Sequence, residues 1–308
     1  MPTLFANPLI FCYFYSRCWL KAVMLIVADT HVHLYPSFDL SVALDAAFEN
    51  LGKLVGSERR EGGTVKVVCL TERYDCHMFK ALREGRASID SRYSLHHHGD
   101  AVLMVSRDGG EELLLIVAGR QVVTRERLEV LALTTDAEIP DGLSIDETIA
   151  RVREVGGVPV VTWAAGKWLF RRGRIVRRVL GGAEKGSVVI GDSSLRPAGW
   201  REPKTMQLGR ARGLRIIAGT DPLPVVGEEW RIGTYGVIGE SDFNWRDPLG
   251  SIRSLLLSAP SLRIVGQRGD FKTVWSRLMA HRRTKKGLNS ILRDGGSVEK
   301  SPVSAQCA

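Results

Sequence analysis

The sequence predicts an α/β fold whose strands run largely parallel in a closed or nearly closed sheet. Three observations predict it. Short apolar, β-branched runs recur along the 308 residues, separated by segments with helical spacing. Glycines, often paired, stop those helical segments at Gly62-Gly63, Gly156-Gly157 and Gly181-Gly182. Most of the runs end in polar or special residues, as at Asp29-Thr-His-Val-His33, Thr71-Glu72-Arg73, Gly191-Asp192-Ser193 and Gly219-Thr220-Asp221. Parallel strands present their C-terminal ends on one face, so these scattered residues are expected to share it.

The elements follow in order. Residues 24–28 are apolar and, with Asp29, read as a buried strand. Residues 41–54 carry Val42, Leu44, Ala47, Phe48 and Leu51 on one helical stripe. Residues 65–70 are a second strand and 76–86 a second helix. The period then changes. Residues 101–106 and 113–118 flank Arg107-Asp-Gly-Gly110, whose turn residues tolerate positive φ, so an antiparallel β-hairpin is expected. Residues 121–123 and 128–133 add short strands. Ser144 and Glu147 fit a capping box that opens a helix running to about residue 155. Strands at 158–162, 187–191 and 214–218 alternate with helices at 171–180 and 204–212. Residues 251–257 and 271–283 read as final helices, and Gly287 onward as a loose tail.

Composition narrows the class. A hydrophobic fraction of 44% supports a full core. Mean hydropathy of −0.04 fits a soluble chain. The net charge of +9 is concentrated: residues 251–308 hold eleven Lys and Arg against Asp270, Asp294 and Glu299. A basic C-terminal helix is a candidate surface for nucleic acid or another acidic partner, or simply a solvated face. Residues 251–293 have little of the aromatic interleaving that nucleic-acid sites use. Five cysteines without Cys-x-x-Cys spacing suggest no disulfide framework and point to a reducing, cytoplasmic compartment. The apolar stretch from Leu4 to Tyr15 is interrupted by Pro8 and followed by Arg17 and Lys21, which suits neither a membrane span nor a secretory signal. Residues 1–23 are expected to be a non-native or disordered extension, with a membrane anchor or atypical signal as the alternative; 24–283 is the expected folded domain and 284–308 a basic, then disordered, tail.

The chemistry lies first in His31 and His33. Residues i and i+2 of a strand project to one face, so two neutral imidazoles can grip one cation there. Lys167, between Trp163 and Trp168, is placed past a strand end to meet an anion or to pack in a loop lid. Arg231 lies in a long Gly- and Pro-rich segment and either forks onto an anionic substrate or holds that loop. Asp192 is either a proton acceptor or half of a salt bridge with Arg196. His96-His97-His98 read as surface histidines in a turn.

With these residues in place, the chain resembles the polymerase and histidinol phosphatase (PHP) superfamily over roughly residues 24–236. The resemblance implies a distorted seven-stranded (β/α) TIM-like barrel with the hairpin as an antiparallel insertion. It also implies metal-dependent phosphoesterase chemistry. The family's opening His-x-His corresponds to His31 and His33. Thr71-Glu72-Arg73 stands where the family has Thr-Asp-His, Gly119-Arg120-Gln121 where it has Gly-x-Glu, and Thr162-Trp163 where a histidine falls. Gly219-Thr-Asp-Pro-Leu223 keeps the closing aspartate and loses the histidine. His77 is a substitute candidate for the histidine missing at Arg73. The amidohydrolase superfamily opens with a similar His-x-His, but no histidine lies between His98 and His281 to complete its set.

What survives is a reduced metal set of His31, His33, Asp221 and Gln121. It suits one Zn, Mn or Fe ion, or none. Glu72 and Asp192 are expected as proton acceptors, and Lys167 and Arg231 as anion-steadying groups, in a phosphoesterase-like hydrolase acting on a small anionic substrate. The alternative is a catalytically inactive PHP-like domain that binds a ligand or a protein.

Overall fold

The computed structural model describes residues 22–58, 63–110 and 112–293. Residues 1–21 and 294–308 lie outside them, and with them most of the expected extension and the end of the tail.

The first strand, β1 (Ala22–Val32), is the centre of the molecule. Leu25 and Val27 enter one core, while Met24, Ile26 and Ala28 enter another, so the period-two alternation is apolar on both faces. A parallel strand β2 (Thr64–Leu70) lies on one side of it. Between them runs helix α1 (Leu40–Val55). Asp39 caps it by accepting from the amides of Ser41 and Val42, and its apolar stripe covers the sheet.

Helix α2 (Met78–Arg83) follows, then three strands: β3 (Tyr93–His97), β4 (Val102–Arg107) and β5 (Leu113–Val117). The expected hairpin is β4–β5, antiparallel, and β5 continues the sheet by pairing parallel with β2. His96 and His97 belong to the edge strand β3 rather than to a turn.

The second sheet starts with the antiparallel pair β6 (Gly119–Val123) and β7 (Glu129–Leu133). It continues through β8 (Val158–Thr162), β9 (Val189–Ser193) and β10 (Ile216–Gly219), the last three mutually parallel. Helices α3 (Ile145–Glu154), α4 (Phe170–Gly182) and α5 (Lys204–Ala211) connect them. The Ser144–Glu147 capping box forms as expected. Val161, Ile190, Val176, Leu180 and Met206 make the core beneath α4 and α5.

The chain then returns to the first sheet. A nine-residue strand, β11 (Tyr235–Phe243), pairs antiparallel with β1, and β12 (Arg263–Gly266) pairs with β11. Two helices close the fold, α6 (Pro248–Ser258) and α7 (Phe271–Arg293). The sequence pattern did not reveal β11, because glycines and a Glu-Ser-Asp run break its alternation. Helix α7 passes through Gly287, where a loose tail was expected. One glycine costs a helix only ~1 kcal/mol, which its neighbours absorb.

The expected barrel is therefore divided between two ladders, β12-β11-β1-β2-β5-β4-β3 and β10-β9-β8-β7-β6. The reason is competition for partners. Strand β11 occupies β1 from Ala22 to Ala28, and β5 occupies β2 from Lys66 to Cys69. Only the C-terminal ends of β1 and β2 are left to meet the second sheet. There the sheets touch at two seams. At one, the Asp221 amide donates to the His31 carbonyl (2.8 Å) and Thr30 Oγ1 to the Ala218 carbonyl (2.8 Å). At the other, Glu72 and Arg120 form an isolated parallel bridge. Each seam needs a glycine. A Cβ on Gly219 would stand 2.3 Å from the His31 nitrogen, and one on Gly119 2.3 Å from the Leu70 carbonyl oxygen.

Candidate metal centre

The two seams bring four donor atoms together. His31 and His33 leave the end of β1, Gln121 stands on β6, and Asp221 follows β10. His31 Nε2 lies 3.2 Å from His33 Nε2, 3.3 Å from Gln121 Oε1 and 3.5 Å from Asp221 Oδ1. His33 Nε2 lies 3.6 Å from the same Asp221 oxygen. His31, His33 and Asp221 are the group of metal-capable side chains found among the described residues.

These separations fit one ion. Tetrahedral ligands at 2.0–2.1 Å from zinc stand about 3.3–3.4 Å apart. The donor chemistry fits as well. Burial, its largest influence, lowers the pKa of His31 and keeps the imidazole in the neutral form that ligates; the nearby Asp221 carboxylate opposes this. Burial works against the Asp221 carboxylate, yet His31, His33 and a hydrogen bond from Ser193 Oγ (2.9 Å) hold it well below the usual carboxylate range. The His33 imidazole, the Gln121 amide oxygen and the Asp221 carboxylate thus gather around His31 Nε2. His31 Nδ1 is buried with no hydrogen-bond partner among the described residues. With the proton on Nδ1, Nε2 turns a lone pair toward the other donor atoms, the arrangement a cation would accept.

The surroundings hold these ligands rigidly. Asp29 is fully buried below His31. Its carboxylate accepts from the amides of His31 (3.3 Å), Thr220 (2.9 Å) and Gly233 (2.9 Å), and from Thr220 Oγ1. It therefore ties β1, β10 and the approach to β11 together, while burial raises its pKa to about 6. Asp221 itself adopts φ +50°, a left-handed conformation that aspartate tolerates better than most residues.

The other expected site residues have different partners. Glu72 Oε1 accepts from the Phe79 amide (2.7 Å) at the start of α2 and so caps that helix. Burial raises its pKa to about 7. Asp192 is gripped by Arg196 through Nε (2.7 Å) and Nη2, and receives the Tyr235 hydroxyl (2.9 Å) and the Ser193 amide (3.0 Å). No lone pair is left to take a proton from water. Lys167 is ion-paired with Glu129, a half-buried carboxylate whose field reaches His31. Arg231 donates to Glu228 Oε1 (3.2 Å) and braces the loop. His77, at the start of α2, accepts from Arg120 (3.2 Å) and stands outside the donor cluster.

Two residues near the centre escaped the sequence reading. Arg277 on α7 is buried and donates to Glu228 Oε2 (2.6 Å), Ser194 Oγ (3.0 Å) and the Asp221 carbonyl (3.3 Å). One turn on, His281 is half-buried, and Asp221 and Arg73 are among the charges acting on it. Helix α7 thus lies against the ligand loop. Its register with a segment some fifty residues earlier leaves no local signal. Other members of the basic C-terminal cluster are engaged too: Arg253 holds the Thr134 carbonyl (2.8 Å) and Arg263 pairs with Glu58. Among the described residues no helix is long and apolar enough to cross a membrane.

No protein-family model matches the sequence, and no curated protein sequence does. Among solved structures, the chain is similar to PsfC from Pseudomonas syringae, at 15% identity and a TM-score of 0.49, covering 86% of this chain and 99% of that one. It is similar to the lesion-specific endonuclease PfuEndoQ from Pyrococcus furiosus, at 11% identity and a TM-score of 0.47, covering 78% of this chain and 58% of that one. It is also similar to Endonuclease Q in complex with a 27-mer duplex substrate carrying an abasic lesion, at 10% identity and a TM-score of 0.43, covering 79% and 58%.

Proposed function

We propose that the chain is a PHP-like metal-dependent hydrolase with a single-cation site formed by His31, His33, Asp221 and Gln121, acting on a small anionic ester, a phosphoester foremost. The observation that carries this reading is the convergence of those four donors at 3.2–3.6 Å around the end of β1. In this reading the two ladders are one ring of strands opened at its seams, with the site at both openings. A divalent zinc, manganese or iron ion, when bound, supplies Lewis acidity for activating water and polarising the ester. Asp221 is the single anion of the donor set, so the loaded centre keeps a net positive charge and favours an anionic substrate. Asp29 orients the ligand segments through its four donors and stays behind them.

A second reading, a binding module without catalysis, is favoured by one specific observation. Glu72, Asp192, Lys167 and Arg231 are all engaged with protein partners, so no free base or anion clamp is left among them.

One experiment separates the readings. The full chain is purified without chelator, its metal is quantified by mass spectrometry, and hydrolysis of 4-nitrophenyl phosphate and bis(4-nitrophenyl) phosphate is followed. One ion per chain with turnover, both lost in His33→Ala, supports the hydrolase. One ion without turnover supports the binding module. A metal-free chain whose stability ignores chelator overturns both the metal site and the hydrolase.

A further inference from the structure

Beside Gln121, two cavities open between the start of α2 and the segment that follows β7. The first, of about 430 Å³, is lined by Tyr74, His77, Arg120, Gln121, Ile139 and Pro140, together with the carboxylates Glu138 and Asp141. The second, of about 330 Å³, adds Lys80, Arg83 and Arg86 along with Glu72 and Asp136, and shares His77, Arg120 and Glu138 with the first. Gln121 is the residue that the first cavity has in common with the donor cluster. A molecule reacting there has this space to occupy, and volumes of this size are those of small-molecule sites.

Arg120 is the informative wall. Its side chain is mostly buried, yet its nearest carboxylate is Glu138, 3.9 Å away and itself 85% exposed. The guanidinium is instead fixed by neutral acceptors: the carbonyls of Arg73 (3.3 Å) and Cys76 (3.1 Å), and His77 Nδ1 (3.2 Å). A buried cation held by neutral groups is preorganised to receive an anion. The nearby charges are mixed. Arg83 faces Asp136 at 3.6 Å and Arg86 is paired with Glu84, whereas no ion pair involves Lys80 among the described residues. Of the lining carboxylates, Asp136 faces Arg83, Glu72 accepts from the Phe79 amide and Asp141 from the Val123 amide, which leaves the exposed Glu138 opposite Arg120 and Lys80.

We propose that the joined cavities are a second anion site, in which Arg120 and Lys80 receive a phosphate carried by the same small substrate whose ester lies at the Gln121 end. The proposal rests on the hydrolase reading above and narrows its substrate to small esters with a second phosphate. Tyr74, Ile139 and Pro140 supply an apolar wall for the carbon skeleton between the two charges. Arg120 and Lys80 are specificity-determining groups here and need not touch the reacting bond.

The test measures binding rather than turnover. Fructose 1,6-bisphosphate, fructose 6-phosphate and a short single-stranded oligonucleotide are titrated into the metal-loaded full chain by calorimetry. The bisphosphate is expected to bind at least tenfold more tightly than the monophosphate. Lys80→Ala, an exposed and readily folded variant, is expected to reduce that preference several-fold, and Arg120→Gln to abolish it, with metal content unchanged in both. Equal affinity for the two sugars, a preference untouched by Lys80→Ala, or tight binding of the oligonucleotide alone overturns the second site. A chain that takes up no metal overturns the hydrolase reading, a separate outcome visible before any sugar is added.

Discussion

Removing the Arg277 guanidinium tests how α7 is fastened to the candidate centre. The Arg277 and Glu228 side chains are 5% and 7% exposed, so the pair is buried. Arg277→Met keeps the apolar stem and deletes the charge, leaving Glu228 with the Leu223 amide (3.1 Å) and the more exposed Arg231. Breaking a buried pair from one side costs ~3–5 kcal/mol. The two partners left to Glu228 place this case at the lower end, about 3 kcal/mol. Adding Glu228→Gln removes the stranded charge, so the double variant should recover about 2 kcal/mol relative to the sum of the singles. Urea unfolding of the four proteins at constant slope measures the cycle. Because Arg277 also holds the Asp221 carbonyl, the single variant should weaken metal binding by about tenfold, the usual scale for a residue behind a ligand. A loss below about 1 kcal/mol, or strict additivity in the cycle, refutes the fastening role.

Other predictions follow from the same geometry. Glu72 has a pKa of about 7 in the fold against 4.5 ordinarily, so the folded chain binds an extra proton between those values. Its contribution to stability is full below pH 4.5 and is lost as pH rises through 7, a change of about 3 kcal/mol. Glu72→Gln should flatten that part of the urea-stability profile between pH 5 and pH 8, and an unchanged slope argues against a protonated, buried Glu72. Gly219→Ala places a Cβ 2.3 Å from the His31 nitrogen, which forces β10 away from β1. It should cost about 3 kcal/mol in thermal or urea unfolding and abolish metal uptake, whereas Gly182→Ala, with open space around it, should do neither. His33→Ala should remove the bound ion while leaving the circular dichroism of the fold intact.

The sequence carried the centre better than its surroundings. His31 and His33 were legible because period-two geometry is local and a strand end fixes both side chains at once. Asp221 and Gln121 were legible only through the family pattern, since nothing local links β6 and the end of β10 to β1. The partners of three auxiliary residues were hidden for a common reason. Strand-end position says that Glu72, Asp192 and Lys167 reach the shared face, but not whether a partner is waiting there. Phe79, Arg196 and Glu129 are those partners, and only Arg196 was close enough in sequence to be weighed. The α/β class was legible as alternation of strand and helix. The arrangement in two ladders was not, because β11 lacks a clean alternation and pairs with β1 over Ala22–Ala28.

Cobalt(II) substitution tests the central claim most directly, because the ion reports its own coordination. If His31, His33, Asp221 and Gln121 form one four-donor site, the chain takes up one cobalt ion and gives the intense visible bands of a tetrahedral centre. Those bands should weaken or shift in Gln121→Ala and vanish in Asp221→Asn combined with His33→Ala. A chain that binds no cobalt, or binds it with a spectrum unaffected by these substitutions, contradicts the account.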